Sequence, residues 1–289
     1  MKRFTAIVCL CVLFANAQVS AQVSAAEFVF TAIPDQDETN LRSRFGKVAA
    51  YLESELGMDV TYIPVKSYAA AITAFQNNEV QLAWFGGLSG VQARRLVPGS
   101  EAIAQGLEDQ AFASYFIANT RTGISVDDKF PAGIEGLNFT FGTKGSTSGR
   151  LMPEYYIRGH FKKSPGEIFN NVGFSGNYSK TIRLVESGSF DVGALNYQVW
   201  EQELERGGID LDKVRVIWKT PVYPDYQWTV RGDADASYGD GFKQRLTKAL
   251  LNIDDPEVLA VFPRTGFIPA NNLDYQPILE TAQSINLID

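Results

Sequence analysis

Hydrophobic positions along the chain alternate between two periods. Residues 27–33, 60–64 and 80–85 are apolar runs of strand length. Between the first two, a polar loop at 35–40 leads into Leu41, Phe45, Val48, Ala49 and Leu52, which recur at helical spacing until Gly57 stops them. Ser67 caps a second predicted helix over 68–76, and Gly86-Gly87 separates the third strand from a helix over 88–96. Strands alternating with helices predict a parallel sheet whose strand C-terminal ends hold ligand.

The alternation resumes later. A strand is expected over 138–142, then a loop at 143–148, a helix to about 161, a strand near Val172, a helix over 180–187, a strand over 191–195, a helix over 197–206 and a strand over 214–219. The apolar run 113–119 reads as part of the first unit. The polar stretch 120–131 reads as a crossover, and 221–225, with Pro221 and Pro224, as the return. Helices over 241–253 and 256–262 then complete the first unit. The expected organisation is residues 1–26 as a signal peptide, 27–119 plus 222–289 as lobe 1, and 120–221 as lobe 2. The fold class is α/β, a two-lobed clamp with ligand in the interlobe cleft.

The first residues change where this clamp should work. Lys2 and Arg3 precede a short apolar run at 4–14 and then small residues, the pattern of an export signal cleaved between Ala21 and Glu27. Both cysteines, Cys9 and Cys11, fall inside it, so the mature chain has no disulfide, thiolate metal site or cysteine nucleophile. The 26 basic and 33 acidic residues give −7; removing Lys2 and Arg3 leaves 24 against 33, or −9. Such a chain is unsuited to nucleic acid or anionic membrane, and any bound anion must be held by a local site.

The sharpest local feature is Gly142-Thr143-Lys144-Gly145-Ser146-Thr147-Ser148-Gly149. It follows a strand and opens a helix, where unpaired amides and the helix dipole favour an anion. Three consecutive hydroxyls add donors, and Gly149 allows close approach to the backbone. The same residues also suit an ordinary Ser/Thr helix cap. Lys144 precedes the hydroxyls, so this is not a nucleotide loop. Tyr68, Trp84, Phe85, Tyr178, Tyr226 and Trp228 fall where a two-lobed clamp has its cleft, although aromatics at such positions also serve as core. His160 is the single histidine and there is no Gly-x-Ser-x-Gly elbow. No catalytic constellation, metal site or cofactor is expected.

Ser146-Thr147-Ser148-Gly149 followed by Leu151-Met152-Pro153-Glu154-Tyr155-Tyr156 resembles the anion-binding segment of the periplasmic phosphonate/phosphite-binding proteins of ABC importers, a family with relatives described as selenate binders. Ser67-Tyr68-Ala69, Leu82-Ala83-Trp84-Phe85-Gly86, Asp191-Val192 and Val216-Ile217-Trp218-Lys219-Thr220-Pro221 match in the same order across nearly the whole mature chain. The resemblance implies a type II periplasmic-binding-protein fold, a periplasmic location, and Tyr68, Ser146, Thr147 and Ser148 gripping phosphorus oxygens. Where the family's aminoalkyl phosphonate binders carry a carboxylate pair, this chain has Gln198 and Tyr226, with Asp225 adjacent. Phe112 replaces a family tyrosine and Tyr178 a family histidine. The expected ligand set is therefore Tyr68, Phe112, Ser146, Thr147, Ser148, Gly149, Tyr178, Gln198, Asp225 and Tyr226.

The resemblance implies a monomeric solute-binding component that captures a small tetrahedral oxyanion, does not favour aminoalkyl phosphonates, and docks on an inner-membrane ABC permease. A selenate- or sulfate-type binder and a ligand-presenting sensor are the alternatives; an enzyme has least support. Asp191 either meets a ligand proton or caps a local loop.

Overall fold

The computed structural model describes residues 27–289. The expected signal peptide, 1–26, lies outside the described residues. In chain order, the elements are β1 (Phe28–Ala32), α1 (Glu38–Leu56), β2 (Val60–Tyr62), α2 (Tyr68–Gln76), β3 (Leu82–Phe85), α3 (Gly87–Leu96), β4 (Glu101–Gly106), β5 (Ser114–Asn119), β6 (Asn138–Phe141), α4 (Met152–Phe161) and α5 (Pro165–Ile168). They continue with β7 (Asn171–Phe174), α6 (Tyr178–Glu186), β8 (Val192–Asn196), α7 (Tyr197–Glu205), β9 (Val214–Lys219), β10 (Gln227–Val230), α8 (Ala234–Tyr238), α9 (Phe242–Leu251), α10 (Pro256–Leu259), β11 (Phe267–Pro269) and α11 (Gln276–Ser284).

Two sheets result, ordered β11-β4-β10-β3-β1-β2 and β7-β6-β8-β5-β9. Each has a parallel trio: β2-β1-β3 in the first and β7-β6-β8 in the second. Each trio is followed by one antiparallel strand, β10 on β3 and β5 on β8. The chain thus enters each lobe's antiparallel position from the other lobe.

This corrects the expected boundary at 119/120. β5 pairs Ser114 with Asn196 on β8 and Tyr115 with Lys219 on β9, so the chain crosses between sheets at 107–113, ahead of that strand. An apolar run announces a strand but not its sheet: Phe116 packs on Phe139 and Trp218, while Ile117 faces the opposite cluster with Val185 and Leu195. The stretch 120–131, read as a crossover, belongs to the second lobe; the Trp218 Nε1–H donates to Asp128 O at 3.1 Å. The strands β4, β10 and β11 were not foreseen. β4 is rich in small residues, whereas β10 carries the strand formers Trp228, Thr229 and Val230 in a run of only four, directly behind the two prolines read as the return crossover.

The two crossovers pair as a short ribbon. Phe112 and Tyr223 exchange backbone hydrogen bonds at 2.9 and 3.0 Å, flanked by Thr220 N–H to Ser114 O and Asp225 N–H to Asp109 O, each 3.0 Å. The first-lobe core gathers Phe30, Phe45, Trp84, Trp228 and Phe262. Among the described residues no helix is long and apolar enough to cross a membrane.

Candidate anion-binding site

The end of β6 runs into the hydroxyl segment, which forms a single π-type turn over Thr147–Leu151 before α4. Ser146 caps that turn: its Oγ accepts from the Gly149 N–H at 2.8 Å and shares a hydrogen bond with the Tyr178 hydroxyl at 2.6 Å. Gly149 is required for another reason than ligand approach. A Cβ there would stand 2.8 Å from Tyr178 Cε1 and 3.0 Å from Gly142 Cα. Tyr178 lies not in a loop but at the first position of α6, two residues earlier than expected, because the Asn177 side chain accepts from Lys180 N–H and starts the helix. Tyr68 holds the matching place on α2 after Ser67.

The opposing wall is the N-terminus of α3. With glycine at the cap position, the helix's first amides turn to residues elsewhere in the cleft. The Gly87 N–H donates to Asp225 Oδ1 at 2.8 Å, and the Leu88 N–H donates across the lobes to Thr147 Oγ1 at 3.0 Å. The Ser148 hydroxyl completes the cluster by donating to Asp225 Oδ2 at 2.5 Å. Burial pushes the Asp225 carboxyl up to about 6, against the opposing pull of Ser148 and the Gly87 amide. Burial also raises both Tyr68 and Tyr178, so each keeps its proton and remains a donor. The Tyr68 hydroxyl is buried with no hydrogen-bond partner among the described residues, a cost that an oxygen acceptor would remove.

The other three expected residues form an adjacent group. Tyr226 stacks on Trp84 at 5.6 Å and meets Phe112 at 5.4 Å; its hydroxyl donates to Asp35 Oδ2 at 3.0 Å and accepts from Asn196 Nδ2 at 2.9 Å. Gln198 accepts at Oε1 from Arg264 and donates to Pro263 O at 3.3 Å. Sequence reasoning missed Asp35, Asn196, Asp109, Arg264 and the α3 amides. Only the last carried a local signal, the Gly86-Gly87 pair between a strand and a helix. Asp191 is structural: one carboxylate oxygen accepts from both Asn138 N–H and Asn138 Nδ2, each at 2.9 Å. His160 stacks on Phe130 at 4.6 Å in an open cleft of about 910 Å³ that contains none of the expected ligand residues. No group of three His, Cys, Asp or Glu able to hold a metal occurs among the described residues.

Two α/β lobes joined by paired crossovers, with hydroxyls and helix-end amides converging between them, define a type II two-lobed binding protein. A family model described as "ABC transporter, phosphonate, periplasmic substrate-binding protein" matches residues 30–275. The chain is 40% identical over 270 residues, 89% of each chain, to "Probable ABC transporter phosphite binding protein PhnD1" of Prochlorococcus marinus (strain MIT 9301). It is 25% identical over 286 residues to the phosphonates-binding periplasmic protein of Escherichia coli K12, covering 96% of this chain and 82% of that one. The solved structure of the Prochlorococcus PhnD1 in complex with methylphosphonate matches with a TM-score of 0.86 at 39% identity, over 91% of this chain and 99% of that one. The chain belongs to the phosphonate-binding family of periplasmic substrate-binding proteins of ABC transporters, a family of transport components.

Proposed function

We propose that this protein captures phosphite or a small alkylphosphonate in the interlobe cleft and presents it to the membrane permease of an ABC importer, after export directed by a cleaved segment at 1–26. The names of its relatives support the ligand class: a phosphite binder at 40% identity and a homologue complexed with methylphosphonate. The ligand residues on this reading are Tyr68, Ser146, Thr147, Ser148 and Asp225 around the anion, with Gly149 and Tyr178 supporting them and Phe112, Gln198 and Tyr226 lining the substituent's side.

The observation that carries the choice of anion is the place of Asp225. Its carboxylate sits among neutral donors, held by the Gly87 amide and the Ser148 hydroxyl. Two unit charges of the same sign about 4 Å apart repel by roughly 4 kcal/mol at an effective dielectric of 20. A phosphorus oxyacid that keeps one proton turns this repulsion into a hydrogen bond, its P–OH donating to Asp225. Sulfate and selenate can only accept and leave the repulsion in place.

Proton linkage gives the test. Burial disfavours the ionised carboxylate, so the unliganded closed cleft is favoured below about pH 6 and weakened as pH rises through that value. The complex retains one shared proton. Affinity should therefore fall by about tenfold per pH unit once the ligand's own last proton is lost in solution. Calorimetric titration with phosphite, methylphosphonate, sulfate and selenate across pH 5–9 reads this directly. Phosphite and methylphosphonate should bind at least about a hundredfold tighter than the other two, given that repulsion. Asp225→Asn should flatten the pH slope and shrink the discrimination. Tighter sulfate or selenate binding, without a pH slope, would overturn the proposal.

A further inference from the structure

Beside the anion site three aromatic rings surround a cation that belongs to the protein itself. The Arg264 guanidinium lies 5.3 Å from the Tyr226 ring centre, 5.5 Å from Phe112 and 5.8 Å from Trp84. Rings grouped in this way are the ordinary means of recognising an ammonium ligand. Here the guanidinium is locked in place. Its Nε and Nη2 donate to the two oxygens of Asp109 at 2.8 and 2.7 Å, and Nη1 donates to Gln198 Oε1 and Phe262 O. Asp109 is itself pinned by the Gly106 N–H at 3.0 Å, and a Cβ on Gly106 would stand 2.6 Å from Arg264 Cγ.

Asp109 holds Arg264. Asp35, on the far side of Tyr226, accepts from the Tyr226 hydroxyl, and burial pushes its carboxyl up. The cavity that Asp35, Arg44 and Arg264 line with Gln198 and Tyr226 is about 20 Å³. That is room for one water molecule and not for an aminoethyl chain. An arriving ammonium would find Asp109 and the ring faces taken by Arg264, Asp225 held by the Gly87 amide and the Ser148 hydroxyl, and Asp35 behind Tyr226, and would meet a fixed positive charge that cannot be titrated away.

We infer that Arg264 is a specificity-determining residue: it fills the aromatic box with the protein's own cation and so bars oxyanions that carry an ammonium group. This rests on the phosphonate reading of the anion site but adds a second cause of exclusion, independent of which residue stands at 198. The role of Gln198 is then secondary, since a carboxylate placed there would be consumed by Arg264.

Two variants separate these causes, each titrated calorimetrically with methylphosphonate and 2-aminoethylphosphonate. Gln198→Glu should leave the ratio of the two affinities within about threefold of the parent, because its new charge pairs with Arg264. Arg264→Met should shift the ratio at least about tenfold toward the aminophosphonate, because Asp109 and the rings become available to the ammonium. A tenfold gain from Gln198→Glu alone would overturn the inference, as would an unchanged ratio in Arg264→Met. If Arg264→Met does not fold, the Gln198→Glu ratio decides alone. Failure of the parent protein to bind methylphosphonate sinks the phosphonate reading and this inference with it. A shifted Gln198→Glu ratio with methylphosphonate still bound sinks only the role of Arg264.

Discussion

Each lobe has a central strand that turns directly into a helix at the cleft, β3 into α3 in the first and β8 into α7 in the second. The two junctions occupy equivalent places in their sheets, but they treat their helix ends in opposite ways. Asn196 caps α7 with its own side chain, accepting from the Gln198 and Val199 N–H groups at 2.7 and 3.3 Å. Gly86 has no side chain, so the amides of α3 reach instead for Asp225 and Thr147. A helix end closed by its own cap can only line the cleft, whereas one left open can hold an anion. The asymmetry places the proposed oxyanion donors on one side of the site and the compensated Arg264–Asp109 box on the other.

The comparison can be broken most severely at Gly86. Its backbone is ordinary extended chain, φ −79°, so a larger residue is not strained there. Gly86→Asn would cap α3 as Asn196 caps α7, and its Cβ would press on Asp225 Oδ1 and Thr147 Oγ1 from 3.2 and 3.3 Å. Methylphosphonate affinity should fall by about a hundredfold or more, the worth of two donors to a charged group, with circular dichroism unchanged. Next in size is Thr147→Val, which keeps the shape of the π-type turn and removes one hydroxyl. Its titration should show a loss of about tenfold, and an unchanged dissociation constant would remove Thr147 from the site. Smallest is Asn196→Ala. Loss of the α7 cap should cost about 1 kcal/mol of unfolding free energy in denaturant melts while leaving methylphosphonate affinity within about threefold. If Asn196→Ala weakens binding as much as Gly86→Asn, the two junctions are not the opposites drawn here.

What could be read from the sequence follows the same division. The hydroxyl turn is contiguous, from Gly142 to Gly149, and a strand-then-helix context identifies it without any tertiary knowledge. Tyr68 is placed near the cleft by its position behind the Ser67 cap, and Tyr178 by the loop that follows a strand of the second lobe. The Arg264 box was illegible: Asp109 and Arg264 are 155 residues apart, and each alone looks like a surface charge. The strand errors have a related cause. β5 and β10 are the strands that change sheets, and an amphipathic or apolar run records how many faces are buried, not which lobe buries them. The Asn177 cap, which brings Tyr178 into α6, is present in the sequence, but the sequence reading starts that helix only at Lys180.

The paired crossovers have a mechanical consequence. Because Phe112 and Tyr223 are stitched together in both directions, the two linkers cannot slide past one another or bend separately. The softest motions left to the lobes are those that flex or twist the ribbon as a whole. Asp225 and Asp109 are tied across that ribbon by a backbone hydrogen bond, so the carboxylate proposed to meet the anion and the one that anchors Arg264 travel together. On the proposed reading of the site, charge and substituent are judged in a single stroke rather than in sequence.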